Sequence, residues 1–324
     1  MERLEALLRC PECGSKIILD ELAVCAGGHR YPIVGGIPVF LDERMIASDP
    51  QYAGQRAYFD SEFRSYQRYA LENWRLAYLD RLRAADVLEG PASPLVDVGV
   101  GGSGYTVIEA ARGGRPAIGC DLSLEGLLIA REFARLEGVA ERTLWVCCTA
   151  EKLPLASAST GSALAIAVLE HVPDDQAALR ELARVLEPGG RAWVTVPHGL
   201  QNISSIFRLA NRRHDRRLGH LRRYEAETLV QAARANGLEP LDVQFSGHAL
   251  QRIERRGIPM DPQTLVRLNE GVNRAAAKGG RESVVLVDGT AFVVSVRNKT
   301  VITAVDPAHM RDHVFTNIDS AVIA

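Results

Sequence analysis

The sequence of 324 residues has no long apolar run, few cysteines and little net charge. Its longest apolar runs fall well short of the roughly 18 residues that span a bilayer, so we expect no membrane span. The N-terminus lacks the charged and then apolar pattern of a secretory signal, which predicts a cytoplasmic protein. Six cysteines are too few for a disulfide scaffold at this length, which leaves metal binding or simple burial for them.

The formal net charge is only −2, but the charge is unevenly placed. The segment 208–223 contains two histidines, one aspartate and seven arginines: Arg208, Arg212, Arg213, Arg216, Arg217, Arg222 and Arg223. Such a cluster suits phosphate or carboxylate groups, because arginine can hold either of them in bidentate fashion. A solvated helix face is an equally good interpretation of the same residues.

Four potential metal ligands lie close together near the N-terminus. Cys10 and Cys13 form a Cys-x-x-Cys pair, and Cys25 and His29 form a Cys-x3-His pair after eleven intervening residues. The first pair places two thiolates on one metal, and the second can complete a tetrahedral zinc site. Metal binding would supply much of the folding energy of so short a piece. We therefore predict a closed, structural Zn²⁺ site in a zinc-ribbon-like module at residues 1–41.

The most informative feature is a glycine-rich turn between an apolar run and a helical pattern. Asp97 lies in the apolar run, and Gly99, Gly101 and Gly104 follow it. A strand, a tight turn and a helix N-terminus in this order present backbone N–H groups to a nucleotide-like ligand. Asp121 ends the next apolar run, at a spacing that suits a carboxylate binding a ribose. NAD-binding oxidoreductases share this glycine spacing.

Strands and helices alternate between residues 94 and 246, as in a parallel sheet covered by helices. The predicted strands are 95–98, 116–120, 143–148, 163–169, 191–196 and 240–246. The predicted helices are 105–113, 123–137, 174–186, 199–212 and 225–236. Beyond residue 247 we expect helices at 248–257 and 261–278 and a three-stranded meander with a hairpin turn at Asp288-Gly289.

These patterns divide the chain into four parts. Residues 42–93 are predicted to be helical and hold eight of the nineteen aromatic residues, which would serve a lid over a ligand or ordinary helix packing. The parts are the zinc module 1–41, this lid or linker 42–93, the nucleotide-binding domain 94–246 and the tail 247–324. The sequence thus predicts an α/β fold: a Rossmann-like, doubly wound, mostly parallel sheet with a small zinc ribbon before it and an α+β appendage after it.

The central part resembles the class I S-adenosylmethionine-dependent methyltransferases of the small-molecule type. The segments that carry the resemblance occur in the family's order and are 97–101, 150–154, 168–172, 180–197 and 220–224. The resemblance implies that S-adenosylmethionine is the cofactor. It implies the cofactor-binding residues Asp97, Gly99, Gly101, Ser103, Asp121, Leu122, Thr149, Ala150, Glu151 and Glu170. Thr149 stands where the family has an acidic residue.

The resemblance also implies an acceptor site next to Glu170 and His171. A hydroxyl acceptor would need a general base, for which His171 and His220 are the candidates. Each of these histidines could instead serve capping or packing. An amine, thiol or enolate acceptor would need no base.

Several acceptors and activities stay open at the level of the sequence. The arginine-rich segment 208–223 favours an anionic small molecule, lipid or sugar. Ribosomal RNA is the alternative, because the N-terminal module is similar to that of the 23S rRNA guanine-N1 methyltransferases. An NAD-dependent oxidoreductase is disfavoured by Asp97 before the glycines. A catalytically silent interaction protein on the same scaffold is the last alternative.

The tail at 247–324 resembles an uncharacterised bacterial flagellar operon protein. That family implies no chemistry. It does imply a bacterial protein, and it allows a flagellar-related protein as a partner of the tail.

Overall fold

The computed structural model describes residues 2–89, 93–197, 205–241, 244–245, 262–296, 300–305, 307 and 320–323. The chain divides into two compact units. The first consists of Met1–Val196, Leu200–Arg223 and Ala235–Leu238, and the second of Pro197–Gly199, Tyr224–Arg234 and Glu239–Ala324. Within the described ranges, no helix is both long and apolar enough to cross a membrane. The predicted helix 248–257 lies outside these ranges.

The first unit begins with a small antiparallel sheet. The helix α1 (Glu2–Glu5) precedes this sheet. The strands of the sheet are β1 (Ile17–Leu19), β2 (Leu22–Cys25), β3 (Arg30–Val34) and β4 (Ile37–Pro38), and they pair in sequence order. Just after β4 the chain joins a neighbouring strand, where the Phe40 amide donates to the Cys147 carbonyl at 2.8 Å. The module at residues 1–41 is therefore attached to the edge of the main sheet of this unit.

Three helices follow: α2 (Glu43–Ser48), α3 (Pro50–Phe63) and α4 (Asn73–Ala84). Asp42 caps α2, and Asp49 caps α3 by accepting from the Gln51 amide at 2.8 Å. Pro50 suits the first turn of α3, because the amide hydrogen it lacks would have no partner within the helix. Helical structure in this region confirms the sequence-based expectation.

The main sheet has five parallel strands: β5 (Leu95–Val98), β6 (Ala117–Asp121), β7 (Thr143–Cys147), β8 (Thr160–Ile166) and β9 (Leu186–Thr195). Their order is β7-β6-β5-β8-β9. The helices of this part are α5 (Tyr105–Arg112), α6 (Leu124–Leu136), α7 (Asp175–Val185) and α8 (Ser205–Leu218). The order reverses between β5 and β8, and ligands of such sheets bind at the carboxyl ends of the strands beside this point.

Apolar residues from the helices and the sheet share one core in this unit. Leu79 of α4, Ile108 of α5 and Leu127 of α6 are fully buried with Leu95 and Leu164 of the sheet. Ser123 caps α6 by accepting from the Gly126 amide at 3.0 Å, as its position before a helical pattern predicted. The fold class expected from the sequence is confirmed.

Four predicted elements differ from the structure, and one of them, the strand 191–196, begins earlier, at Leu186. The strand 163–169 ends at Ile166, because Ala167 has a φ of 55° that is incompatible with a strand. The helix 199–212 continues to Leu218, where Gly219 with a φ of 70° ends it. The strand 240–246 is wrong as a member of the main sheet, because β10 (Gln244–Phe245) pairs with a strand of the second unit.

The second unit is a five-stranded sheet with helices. Its strands are β10, β11 (Glu282–Val287), β12 (Thr290–Ser295), β13 (Thr300–Val305) and β14 (Ser320–Ile323), in the order β10-β13-β12-β11-β14. Its helices are α9 (Ala226–Ala235), most of which belongs here, and α10 (Pro262–Ala277). The meander β11-β12-β13 is confirmed with its Asp288-Gly289 turn, whose φ angles of 51° and 78° are those of a tight hairpin.

Candidate functional site

The glycine-rich turn after β5 has room for backbone only. Gly99, Gly101 and Gly104 have φ angles of 73°, 66° and 57°, which L side chains rarely adopt. A Cβ at Gly99 would overlap the side chain of Val168, and one at Gly104 would lie 2.7 Å from Trp145. The turn therefore brings the ends of β5 and β8 close together and leaves backbone amides at the carboxyl edge of the sheet.

Asp97 is the buried carboxylate at the base of this turn. It is 3% exposed, and the Thr106 hydroxyl donates to its Oδ2. Its Oδ1 has no hydrogen-bond partner among the described residues. Burial raises the pKa of Asp97 to about 7, and the neighbouring Asp121 contributes to the same shift. A buried carboxylate with one free oxygen is suited to a cationic group or a hydrogen-bond donor.

Asp121 ends β6 beside the same turn. Its Oδ2 accepts from the Gly101 amide and its Oδ1 from the Ser123 amide, both at 2.8 Å. Burial raises the pKa of Asp121 to about 6, although these two amides act in the opposite direction. Its neighbour Leu122 is half-buried, as is Ser103 in the glycine-rich turn.

The loop after β7 supplies the third part of this edge. The Cys148 amide donates to the Asp121 carbonyl at 3.0 Å, which holds the start of the loop against β6. Thr149, Ala150 and Glu151 follow and are half-buried. The tips of β5, β6 and β7 thus hold nine of the ten predicted cofactor-binding residues.

The helix α3 lies across this edge of the sheet. Phe63 packs on the glycine-rich turn, where a Cβ at Gly102 would lie 2.8 Å from it. Tyr52 donates a hydrogen bond to Glu151, and the Ser123 hydroxyl donates to Asp60. The other interpretation, ordinary helix packing, describes Tyr66, Tyr69 and Tyr78, which pack against the main core, so the lid stays a prediction.

Sequence analysis did not identify Tyr52, Asp60 and Phe63 as residues of the site. The only signal in the sequence is the aromatic content of segment 42–93. Which of its faces meets the glycine-rich turn depends on how α3 is placed.

Glu170, the tenth predicted cofactor residue, lies with both candidate histidines. Glu170 is 2% exposed, and burial raises its pKa to about 7. The rings of His171 and His220 meet edge to face with 4.7 Å between their centroids. Burial, followed by the charge of His220, lowers the pKa of His171 to about 4, so this imidazole is neutral at pH 7. The structure therefore brings these three predicted residues into one cluster.

His220 is held by an ion-pair network that sequence analysis missed. Its Nδ1 lies 2.9 Å from Asp215 Oδ1, and Arg223 donates to both oxygens of Asp215 at 2.7 Å. Asp215 is the single acidic residue of the arginine-rich segment, which is the signal that could have identified it.

The arginine-rich segment has two roles in the structure. Arg222 donates to the carbonyls of Leu169 and Pro173, and Arg223 pairs with Asp215, so both arginines hold the site together. Four others are exposed on α8: Arg212, Arg213, Arg216 and Arg217. The sequence could not separate these two groups.

The predicted zinc ligands meet in the N-terminal module. Cys13 Sγ lies 3.6 Å from Cys25 Sγ, and His29 Nδ1 lies 3.5 Å from Cys10 Sγ and 3.4 Å from Cys25 Sγ. Zn–S bonds of about 2.3 Å place two tetrahedral sulfur ligands roughly 3.8 Å apart. These three separations are close to those between the ligands of a tetrahedral zinc ion, and all four ligand atoms lie within 4.8 Å of one another.

Comparisons with known proteins agree with this geometry. The family model described as "Methyltransferase domain" matches residues 96–194, and a model of a flagellar family matches residues 300–323. The methyltransferase GfsG of Streptomyces halstedii is 32% identical over 46% of this chain and 55% of its own length. The malonyl-(acyl-carrier protein) O-methyltransferase of Marinomonas sp. (strain MWYL1) is 30% identical over 58% of this chain and 67% of its own length.

A solved structure, the YcgJ protein from Bacillus subtilis, shares 24% identity with a TM-score of 0.46, covering 60% of this chain and 83% of that one. The chain spans about half the length of GfsG. The sheet order and the glycine-rich turn define a Rossmann-like nucleotide-binding fold. Within that class, the chain belongs to the class I S-adenosylmethionine-dependent methyltransferases.

The pKa of Asp97 leads to a prediction about stability. A carboxyl whose pKa is 3.8 in a solvated chain and about 7 when folded contributes its full stability below pH 4 and loses it as the pH rises through 7. We expect the free energy of unfolding of the wild type, relative to Asp97→Asn, to fall by on the order of 4 kcal/mol between these pH values.

Denaturant titrations across this pH range measure the difference, with the exposed Asp20→Asn as the control that follows the wild type. Parallel pH profiles for the wild type and Asp97→Asn would show that Asp97 does not titrate as its burial implies.

Proposed function

We propose that this chain transfers a methyl group from S-adenosylmethionine to an anionic small molecule, lipid or sugar. The observation that carries the proposal is the meeting of two groups of residues at one edge of a parallel sheet. Asp97, Asp121 and the glycine-rich turn form one group, and Glu170, His171 and His220 form the other. Except for His220, which follows α8, these residues lie at or after the neighbouring strand ends of β5, β6 and β8.

The first group suits the cofactor. The free oxygen of Asp97 fits the ammonium of the amino-acid part, and Asp121 is placed to accept from ribose hydroxyls. The residues that would hold the cofactor are Asp97, Gly99, Gly101, Ser103, Asp121, Leu122, Thr149, Ala150 and Glu151. When bound, S-adenosylmethionine supplies a methyl carbon whose bond to sulfur breaks as the bond to the acceptor forms. The chain contributes alignment of the acceptor and exclusion of water by α3.

The second group would face the acceptor. A carboxylate acceptor has no proton to lose, so binding and alignment are sufficient. With a hydroxyl acceptor, His171 and His220 are the candidates for taking the proton, and Asp215 holds the His220 ring in one orientation. The exposed arginines of α8 support an anionic acceptor, because they raise its local concentration.

Thermal unfolding with S-adenosylhomocysteine tests the cofactor. At about 100 times its dissociation constant the ligand stabilises the folded chain by about 2.7 kcal/mol, which raises the melting temperature by several degrees. We expect Asp121→Asn to weaken binding by about 10-fold or more, because hydrogen bonds to a charged group contribute roughly 1.5–3 kcal/mol each.

Asp20→Asn is the control and should bind like the wild type. NAD serves as the comparison ligand. Stabilisation by NAD alone would contradict the proposal and restore the oxidoreductase interpretation. Binding of S-adenosylhomocysteine without methyl transfer to any anionic acceptor would favour a silent interaction protein.

The arginines of α8 test the class of acceptor. We expect replacement of Arg212, Arg213, Arg216 and Arg217 by Gln to raise the KM for a small carboxylate or phosphate acceptor by about 10-fold, since each exposed charge contributes below about 1 kcal/mol. The measurement is transfer of labelled methyl groups, and Arg142→Gln, an exposed arginine elsewhere in the same unit, is the control.

If the α8 variant and Arg142→Gln have the same KM, these arginines no longer support an anionic acceptor. Methylation of RNA, with binding that weakens steeply as salt is added, would instead support the RNA alternative.

We also propose that Cys10, Cys13, Cys25 and His29 bind a structural zinc ion. Their separations and the donor set of three sulfurs and one nitrogen support it. Elemental analysis should find about one equivalent of zinc per chain at this cluster, which Cys13→Ser loses, while Cys148→Ala in the core of the same unit keeps it. A metal-free preparation that stays fully folded would contradict a structural role.

The same thiolates support a cytoplasmic location, because reducing conditions keep such ligands from forming disulfides. For the tail we propose a flagellar-related protein as the partner. The support is the match of a flagellar family to residues 300–323.

A further inference from the structure

Three side chains that can ligate a metal meet beside the end of β8. Glu170 and His171 follow the strand, and His220 comes from the segment after α8. One ligand atom from each lies within 4.8 Å of those of the other two. The N-terminal cysteine cluster is a separate group, since it has its own four ligands.

Two of these three side chains have a buried polar atom without a hydrogen-bond partner in the described part of the chain. Glu170 Oε2 and His171 Nδ1 are buried without a hydrogen-bond partner there. The backbone of Glu170 is held in place, because its carbonyl accepts from the Leu221 amide at 2.7 Å. Leaving two such polar atoms unpaired in a protein interior is unfavourable, and a bound cation would satisfy both at once.

Each of the two histidines has a ring nitrogen that is available to an ion, and His220 is oriented as metal ligands usually are. Metal-ligating histidine donates its second ring N–H to a carboxylate or a backbone carbonyl, which leaves the other nitrogen for the ion. His220 uses Nδ1 for Asp215, so its Nε2 is the nitrogen with a lone pair to give. His171 Nδ1 is buried and has no hydrogen-bond partner among the described residues, so it is also available to an ion.

We propose that Glu170, His171 and His220 bind a divalent transition-metal ion of the zinc, iron or cobalt kind. Two imidazoles and one carboxylate form a donor set that such ions favour over magnesium or calcium. Ligand bonds of about 2.1 Å place tetrahedral ligands roughly 3.4 Å apart, so the separations between ligand atoms shorten by at most about 1.4 Å when an ion binds. Three protein ligands leave at least one coordination position open.

The open position gives the ion a use in the proposed function, on which this step rests. The Phe59 ring stacks on Phe63 at 5.6 Å and meets the His171 ring at 5.4 Å. Since Phe63 packs on the glycine-rich turn, one helix covers both the cofactor residues and the metal cluster. The ion would bind an anionic oxygen of the acceptor beside the methyl donor. When His171 and His220 coordinate the ion, their free lone pairs are used and they cannot take a proton from the acceptor. Their role is then to position the acceptor through the ion.

Cobalt binding tests the metal site without any turnover. The chain is first given one equivalent of zinc, which the three thiolates of the cysteine cluster bind in preference to nitrogen and oxygen ligands, and is then titrated with Co²⁺. We expect about one further equivalent to bind, with the visible absorption of cobalt in nitrogen and oxygen ligands and without sulfur-to-cobalt charge transfer. Glu170→Gln and His220→Gln should lose this binding. Asp215→Asn should weaken it by 10- to 100-fold, because it acts only through His220.

His214→Gln is the matched control, since His214 is exposed and its ring lies 6.2 Å from that of His220. It should bind cobalt like the wild type. Binding that persists in Glu170→Gln and His220→Gln, or that is lost in His214→Gln, would overturn the proposal, as would uptake by the cysteine cluster alone.

Thermal unfolding of the same variants without ligand shows whether they are folded, and stabilisation of the wild type by S-adenosylhomocysteine separates the two proposals. A chain that binds S-adenosylhomocysteine but no cobalt outside the cysteine cluster refutes the metal site and leaves the methyltransferase proposal standing. A chain that binds cobalt at this site but no S-adenosylhomocysteine refutes the methyltransferase proposal and leaves the metal site standing.

Discussion

The steric contact between Gly99 and Val168 is the constraint on which the site depends. The chain must reverse direction directly after β5, at a positive φ, against a side chain from the end of β8. Only glycine satisfies both conditions. Because the turn is this tight, Asp97 is buried beneath it and the Gly101 amide reaches Asp121. A larger residue at position 99 would separate the strand ends that hold the cofactor residues and Glu170.

The helix α3 connects parts of the site that are distant in the sequence. Tyr52 reaches Glu151 across 99 positions, and Gln55 reaches the Gly219 carbonyl across 164 positions at 2.8 Å. These hydrogen bonds join the loop after β7 to the segment that carries His220. The helix therefore fixes both ends of the site and covers the glycine-rich turn with Phe63.

The two clusters of metal-ligating residues differ in how far the sequence reveals them. The cysteine cluster occupies 20 residues, from Cys10 to His29, and its spacing indicates a knuckle and a second ligand pair. Glu170 and His220 are 50 positions apart, and neither has a spacing that indicates a metal. From the sequence the two histidines were candidates for proton transfer. Only the folded chain shows that their ring nitrogens and the Glu170 carboxyl lie together.

The sequence by itself determined the features that depend on neighbouring residues. The strand and helix alternation, the glycine-rich turn, the Ser123 cap and the Asp288-Gly289 hairpin follow from local sterics and hydrogen bonding, which act over a few positions. The tertiary structure alone decided which sheet Gln244–Phe245 joins and how Asp215 holds His220. It also decided which face of α3 covers the site. Strand partners and side-chain clusters depend on packing between segments that are distant in the sequence, and local sequence patterns do not predict that packing.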